Sequence, residues 1–300
     1  HLTGKAVRVN DKHAALMVAR HKTSLPGGFL GNEEAVTVAK HEHSVTALAV
    51  RKDGMVASGG SYGVVKVWKV GEAASILRKK RDSEVFSLAW LKDGTLAVGM
   101  WSKVELWKNG RCVNTLKVKI SCWALCALPN GSFLSGAHNE IKHWRDGKCV
   151  RELNGHMTYV FSLIRLKDGK IASGSGRSTI KIWDLESGRL LTTVCDALVF
   201  RSLDRGPRGV LAAATSPSSQ QTPSAIYLID TRHLRTNDTC PKPRVRRMAG
   251  SDEPTVLDPA ICLTDTKLVE AHGTRLTFRE FWYYQVSDWE LDTFLSDVLV

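Results

Sequence analysis

The chain has 300 residues, 43% of them hydrophobic, and a formal net charge of +12 at pH 7. This length can bury a sizeable core, and no apolar run approaches the roughly 18 residues of a membrane-spanning helix. The seven cysteines form no Cys-x-x-Cys pair. We therefore expect reduced thiols and a cytoplasmic location, with a nuclear location as the alternative.

Four short phrases that end in tryptophan recur along the chain: V-V-K-V-W, K-V-E-L-W, E-I-K-H-W and T-I-K-I-W-D. Successive tryptophans lie 39, 37 and 39 residues apart, at Trp68, Trp107, Trp144 and Trp183. An Asp-Gly or Asn-Gly turn precedes each phrase in step with it. A unit of about 40 residues made of short strands cannot bury its own core, so the units must stack.

The cleanest copy covers residues 155–194. Gly155-His156 opens it, and four short strands joined by tight turns follow. The G-H and W-D dipeptides at these offsets resemble the WD40 family, and the resemblance covers at least residues 44–231. It implies a β-propeller in which each repeat forms one four-stranded blade around a central channel.

Followed outward, the pattern predicts an all-β WD40 β-propeller with seven four-stranded blades over residues 1–285. The predicted blades are 1–40, 41–80, 81–117, 118–154, 155–194, 195–235 and 236–285. The first and last are eroded, and the last is predicted from strands near 260–264, 267–271 and 276–282. Ser287 and Glu290 form a capping box ahead of an apolar stripe, so residues 286–300 are predicted to form a short amphipathic C-terminal helix.

In well-formed WD40 blades, a histidine, a serine or threonine, the tryptophan and an aspartate bond together. Matched to that family pattern, the structural anchors of this chain are Trp68, Trp107, Trp144, His156, Ser173, Trp183 and Asp184. Arg177 stands where the aspartate of the turn would be, and no repeat has the complete network. Either the propeller is softer than usual, or these turns have been released to present side chains.

The resemblance also places the turns between second and third strands, and the connections between blades, on one face, called the top face. Five residues are predicted there: Tyr62, Trp101, His138, Tyr159 and Arg177. Aromatic and arginine side chains dominate binding hot spots. An exposed tryptophan is costly unless something covers it, so we predict a binding surface. The alternative is that Trp101 folds inward over the third blade.

The stretch 103–160 has a closer resemblance. Its phrases V-E-L-W-K-N-G-R-C-V-N-T-L, F-L-S-G-A-H-N-E-I-K-H-W-R-D-G-K-C-V and G-H-M-T-Y-V-F-S-L are similar to the propeller of the phospholipase A2-activating protein family. That resemblance implies ubiquitin binding on the top face, in the service of ubiquitin-dependent unfolding by an AAA unfoldase. The sequence after residue 230 does not resemble the C-terminal domains of that family.

Charge is uneven along the chain. Residues 251–300 contain ten acidic and three basic residues, so the rest of the chain is strongly basic. A basic body favours acidic partners or a tail that folds back, although lysines that discourage edge pairing of strands explain it equally well. The densest cluster lies in what we interpret as a proline-containing connector. It supplies candidate phosphate contacts at Arg244, Arg246 and Arg247, without the interleaved aromatics of a nucleic-acid stacking site.

Catalytic motifs are missing from the sequence. It has no G-x-S-x-G, P-loop or H-E-x-x-H motif, and His41 and His43 lack companion metal ligands nearby in the repeat. We therefore predict a non-enzymatic scaffold without metal or cofactor. It would bind a protein partner on the top face, with ubiquitin or a ubiquitinated protein as the first candidate. The alternative is an RNA- or phosphoinositide-associated propeller that uses the basic surface and binds in a salt-sensitive way.

Overall fold

The computed structural model describes residues 45–69, 74–78, 82–166, 168–177, 179–195, 199–205, 210–216, 226–230, 245–248, 260–263, 267–272 and 275–280. The predicted first blade over residues 1–40, the pair His41 and His43, Arg244 and the segment 286–300 lie outside these residues. Every helix or strand element in the described part is a β-strand, so the fold is all-β as predicted. None of the described residues forms a helix long and apolar enough to span a membrane.

The chain divides into two compact units, His1–Gly131 and Ser132–Val300. The strands of the first unit are β1 Val45–Val50, β2 Met55–Gly60, β3 Val65–Lys69, β4 Ser75–Arg78, β5 Val85–Trp90, β6 Leu96–Met100, β7 Lys103–Lys108, β8 Arg111–Lys117 and β9 Ala124–Ala127. Strands β1–β4 and β5–β8 form two antiparallel sheets, each ordered as in the chain. Each sheet is therefore an antiparallel meander, and its β6–β7 and β7–β8 connections are two-residue turns.

The strands of the second unit are β10 Phe133–Gly136, β11 His138–Arg145, β12 Lys148–Arg165, β13 Ile171–Ser175, β14 Thr179–Trp183, β15 Leu190–Cys195, β16 Val199–Arg205, β17 Val210–Ser216, β18 Ile226–Asp230, β19 Val245–Met248, β20 Ala260–Leu263, β21 Lys267–His272 and β22 Arg275–Glu280. Strands β10–β15 are hydrogen-bonded in chain order, β16–β19 form a four-stranded sheet, and β20–β22 form a three-stranded sheet. The last three strands coincide closely with those predicted near 260–264, 267–271 and 276–282.

The glycine of each predicted turn adopts the same conformation in four repeats. The φ angles of Gly54, Gly94, Gly131 and Gly169 are 85°, 82°, 89° and 92°, a region that glycine enters without steric cost. The residue two positions later pairs across the sheet with the tryptophan of the repeat. These pairs are Val56–Trp68, Leu96–Trp107, Phe133–Trp144 and Ile171–Trp183. The four copies therefore share one register, which is structural evidence for the repeat.

A second glycine, five residues after the first, sets how closely successive sheets pack. A Cβ atom at Gly59 would collide with Val85, and one at Gly99 would collide with Ser87 and Cys122. In the second unit, a Cβ at Gly136 would lie 2.8 Å from Cγ1 of Val160, and one at Gly174 would lie 3.2 Å from Cβ of Phe200. In three repeats, the missing side chain makes room for the first strand of the next repeat, and at Gly99 it makes room for Ser87 of the same sheet and for Cys122, just before β9.

Apolar side chains fill the space between stacked sheets. In the first unit, β1 packs against β5 and β5 against β9, and Val85, Leu96 and Met100 are fully buried in this layer. In the second unit, β12 packs against β16 and β16 against β20, with Ile180 and Phe200 in the core. Burial of one such side chain contributes about 1.5–3 kcal/mol to the stability of the fold.

Hydroxyl groups on the first strands tie successive repeats together. Oγ1 of Thr46 donates a hydrogen bond of 2.5 Å to the carbonyl of Val85. Oγ of Ser87 donates to the carbonyl of Cys122 at 2.8 Å. In the second unit, the amide of Leu203 donates to Oγ of Ser162 at 3.0 Å. These bonds satisfy polar groups that the stacking would otherwise bury without partners.

Strand β12 differs from the prediction because it is one continuous strand of 18 residues. The sequence predicts a break at Gly155-His156, but the strand runs on from one repeat into the next. Gly155 has a φ of 146°, and the pairing of β12 with β11 is irregular between Asn154 and Tyr159. This φ favours glycine, and a Cβ there would also crowd the Trp183 ring at 3.3 Å.

One further interpretation, the connector that contains the arginine cluster, is wrong. Strand β19 pairs with β18, so Arg246 and Arg247 lie in the outer strand of a sheet and not in a connector, and that sheet continues past residue 235. The phrase V-R-R-M hides this strand because it lacks alternating polarity, and charges on an edge strand discourage pairing with other chains. Trp107 is half-buried, whereas Trp68, Trp144 and Trp183 are buried.

Candidate partner-binding turns

Two of the predicted binding residues are exposed aromatics in the first unit. Tyr62 lies in the turn between β2 and β3, and Trp101 lies in the turn between β6 and β7. Their side chains are 50% and 57% exposed. Trp101 therefore does not fold inward over its own sheet, and that alternative is wrong.

The turn that displays Trp101 has a fixed backbone. The amide of Trp101 donates a 3.1 Å hydrogen bond to Oγ of Ser83. Ser102 adopts a left-handed φ of 57°. The amide of Ser102 donates to the carbonyl of Ile120, and the carbonyl of Ser102 accepts from the amide of Val118, both at 3.1 Å. The indole is thus presented to solvent from a turn that is held on both sides.

Beside this turn, Arg78 at the end of β4 has a fully buried side chain. Its Nη1 donates to the carbonyl of Gly63 at 2.8 Å, in the turn that carries Tyr62. Its Nε donates to Oε2 of Glu105 at 2.8 Å, and its Nη2 donates to Oδ1 of Asp82 at 2.6 Å. One guanidinium therefore joins three segments of the first unit.

The charges around Arg78 are balanced. Nζ of Lys103 lies 2.9 Å from Oε1 of Glu105 and 3.4 Å from Oδ2 of Asp82. Burial alone would raise the pKa of Glu105, but hydrogen bonds from Arg78 and Lys103 outweigh burial and lower the pKa to about 2. The carboxylate is therefore ionised at neutral pH, and two bases face two acids.

Glu105 also replaces a missing hydroxyl in its repeat. Nε1 of Trp107 donates to Oε2 of Glu105 at 3.0 Å, because Val98 occupies the second-strand position that is serine in the other three repeats. The indole bonds to its own strand instead of the sheet interior, and it stays half-buried. A signal for this was present in the sequence: the residue two before tryptophan is lysine in the other phrases and glutamate here.

In the second unit, the tryptophan anchors form the hydrogen bonds that the family pattern implies. Nε1 of Trp183 donates to Oγ of Ser173 at 2.8 Å, and that oxygen lies 2.6 Å from Nε2 of His156. Nε1 of Trp144 donates to Oγ of Ser135 at 2.7 Å.

Asp184 shapes the turn that follows Trp183. Its Oδ1 accepts hydrogen bonds from the amide and the hydroxyl of Ser187, at 2.6 and 2.7 Å. These bonds hold the pKa of Asp184 below its ordinary value.

The remaining predicted binding residues form a group in the second unit. His138 and Tyr159 are paired on β11 and β12, and their half-buried rings meet edge to face with centroids 4.9 Å apart. The carbonyl of Tyr159 accepts from the amide of Gly176 at 3.0 Å, which attaches the turn of the exposed Arg177. Met157, nearby in the chain, is 72% exposed and was not among the predicted binding residues. Tyr62 and Trp101 belong to the other unit.

The predicted binding residues offer hydrogen-bonding groups and exposed aromatic surface. Across the described ranges, no three His, Cys, Asp or Glu side chains are grouped as a metal-ligand set. Burial, with a smaller effect from Lys181, lowers the pKa of His156 to about 3, so its ring is neutral at neutral pH.

We expect this burial of His156 to make folding sensitive to acid. Because the pKa is lower in the folded protein than the ordinary 6.5, protons bind the unfolded chain first and stability is lost as pH falls below about 6.5. Between pH 8 and 5 the free energy of unfolding should drop by about 2 kcal/mol from this group. Urea denaturation at each pH measures the drop.

His156→Gln provides the control for this prediction. The variant should show a shallower dependence over the same range, while His143, whose pKa burial also lowers, contributes equally to both proteins. Identical slopes for the two proteins would show that His156 does not cause the effect.

Comparison with known proteins concerns both the repeats and the fold. Residues 33–69 and 147–184 each match the family model described as WD domain, G-beta repeat. No curated protein matches the chain. The WD40 beta propeller domain of Doa1 is similar in structure, with a TM-score of 0.65 and 17% identity over 83% of this chain and 84% of that one. The computationally designed Ika8 protein has a TM-score of 0.62 and 23% identity, over 82% and 74%.

Proposed function

Because the chain carries WD40 repeats in the fold of a WD40 β-propeller, we propose that it is a non-enzymatic scaffold that holds a protein partner at its second-to-third strand turns. The observation that carries the proposal is Trp101, an indole 57% exposed on a turn with a fixed backbone. A rigidly displayed aromatic loses little conformational freedom on binding and buries a large area. Covering it would also remove an unfavourable contact with water.

Ubiquitin, alone or on a conjugated protein, is the partner that we propose. The resemblance of residues 103–160 to the phospholipase A2-activating protein family supports it. Ubiquitin presents an apolar patch with basic surroundings, which a strongly basic chain would repel. Around Trp101, however, Arg78 and Lys103 are paired with Asp82 and Glu105. The local charge is therefore compatible with such a partner.

Titration of isotopically labelled ubiquitin with the protein tests this proposal. We expect a dissociation constant of tens to hundreds of micromolar, about −5 to −6 kcal/mol. Trp101→Ala should weaken binding by about tenfold or more, and Trp101→Ala with Tyr62→Ala should abolish it, with melting shifted by only a few degrees. Val113→Ala is the matched control, because Val113 is 58% exposed in the same sheet.

A different outcome would favour the alternative function, in which the basic surface binds RNA or acidic lipid. That outcome is no change in ubiquitin at millimolar protein, together with salt-sensitive binding of RNA or acidic lipid vesicles. Charge reversal at Arg244, Arg246 and Arg247 would then remove binding, whereas Trp101→Ala would leave it intact.

A further inference from the structure

Arg78 contacts both segments that lead to the exposed aromatics of the first unit. On one side, its Nη1 donates to the carbonyl of Gly63, the residue after Tyr62. On the other side, its Nη2 donates to Asp82. The next residue, Ser83, accepts the amide hydrogen of Trp101 through its Oγ. Two hydrogen-bonded links and one peptide bond thus connect the guanidinium to the backbone of Trp101.

A second connection reaches the other end of the Trp101 turn. Nε of Arg78 donates to Glu105, and Lys103 bridges Glu105 and Asp82. Lys103 and Glu105 lie on β7, which begins directly after the turn. The turn that carries Trp101 is therefore held from the connection before β5 and from β7, and both attachments involve Arg78.

We propose that Arg78 is a positioning residue of the partner-binding surface: it couples the turn that carries Tyr62 to the turn that carries Trp101, so that both aromatics are presented as one preorganised surface. The role in binding rests on the proposed function. The coupling of the two turns does not, because it is a property of the protein alone. Because both turns are already ordered, a partner that contacts them does not have to order either one, and the entropic cost of association is smaller.

The chemistry of arginine suits this position. Its planar guanidinium presents five N–H donors in a fixed fork, so it reaches acceptors on three segments at once. A lysine carries its three donors on a single atom and cannot span the same acceptors. Because the side chain is fully buried, water does not replace a lost bond without rearrangement of the turns.

Hydrogen exchange of backbone amides in the full chain tests the coupling. In Arg78→Lys, and in the double variant Arg78→Met with Glu105→Leu, we expect exchange at Gly63 and Trp101 to accelerate by about tenfold or more, equivalent to about 1.4 kcal/mol of local opening. Gly54 and Gly94 are internal references, since they lie in turns at the opposite strand ends of the same two sheets. Their exchange should change little.

Arg51→Lys is the matched control substitution. Arg51 is bonded to Asp53 and lies over the Trp90 ring, near those reference turns, so its replacement should leave Trp101 exchange unaltered. Unchanged exchange at Trp101 in both Arg78 variants would overturn the proposal. So would an equal acceleration at all four amides, because it would show a purely structural role.

Titration of ubiquitin with the same variants separates this proposal from the proposed function. Accelerated exchange confined to the two turns, with weaker ubiquitin binding by the Arg78 variants, supports both proposals. The same exchange result without ubiquitin binding by the unaltered protein supports the coupling and contradicts ubiquitin as the partner.

Discussion

Replacement of Trp183 by alanine is expected to lower the free energy of unfolding by about 3–5 kcal/mol. The indole is only 1% exposed, so its removal leaves a large cavity between packed strands. It also deprives Oγ of Ser173 of its Nε1 donor. Urea denaturation at neutral pH measures the loss. The slope of the free energy of unfolding against urea concentration should not change.

Trp107→Ala is the matched comparison, because the same residue type sits at the same register but is half-buried. We expect a loss clearly smaller than that of Trp183→Ala, since less apolar area returns to water. Equal losses at the two positions would contradict the assignment of Trp183 as the better-buried anchor.

Arg78→Met is the second substitution with a large expected effect, a loss of about 3–5 kcal/mol. It leaves the carboxylate of Glu105 buried with Lys103 and Trp107 as its remaining bonded partners. The second substitution Glu105→Leu, added to Arg78→Met, should restore at least half of the loss, because an apolar pair of similar volume tolerates burial.

A double-mutant cycle across these two residues measures their coupling. Glu105→Leu alone should also be strongly destabilising, since it leaves the guanidinium buried with a partly exposed Asp82 as its carboxylate partner. If the two single losses simply add in the double variant, the buried pair does not act as a unit.

The repeat was predictable because its signals are local. An Asp-Gly or Asn-Gly turn needs a glycine with positive φ, and the tryptophan phrase follows within one hairpin, so both can be identified in a short window. The contact of His156 with Ser173 and Trp183 followed from the family pattern, because these residues occupy the expected offsets. Display of Trp101 was predictable from its position in a short turn.

The Arg78–Glu105 pair was not predictable in the same way. The two residues lie 27 positions apart and in different sheets, and a periodic pattern carries no information about such a contact. Strand β19 was missed because its arginines obscure the apolar pattern of a strand, and the continuity of β12 was missed because a glycine next to a histidine suggests a boundary. Tertiary packing decided these features, not local preference.

The second glycine of each repeat also determines how far the effect of a substitution spreads through the protein. The close contact at each of these glycines involves two consecutive repeats and no third one. We therefore expect the packing between one pair of repeats to be lost without loss of the packing between the next pair. We expect a bulky side chain introduced at Gly174 to disrupt packing against Phe200, while the packing of Gly136 against Val160 is unchanged. The structural change caused by such a substitution would therefore be confined to the two repeats in contact.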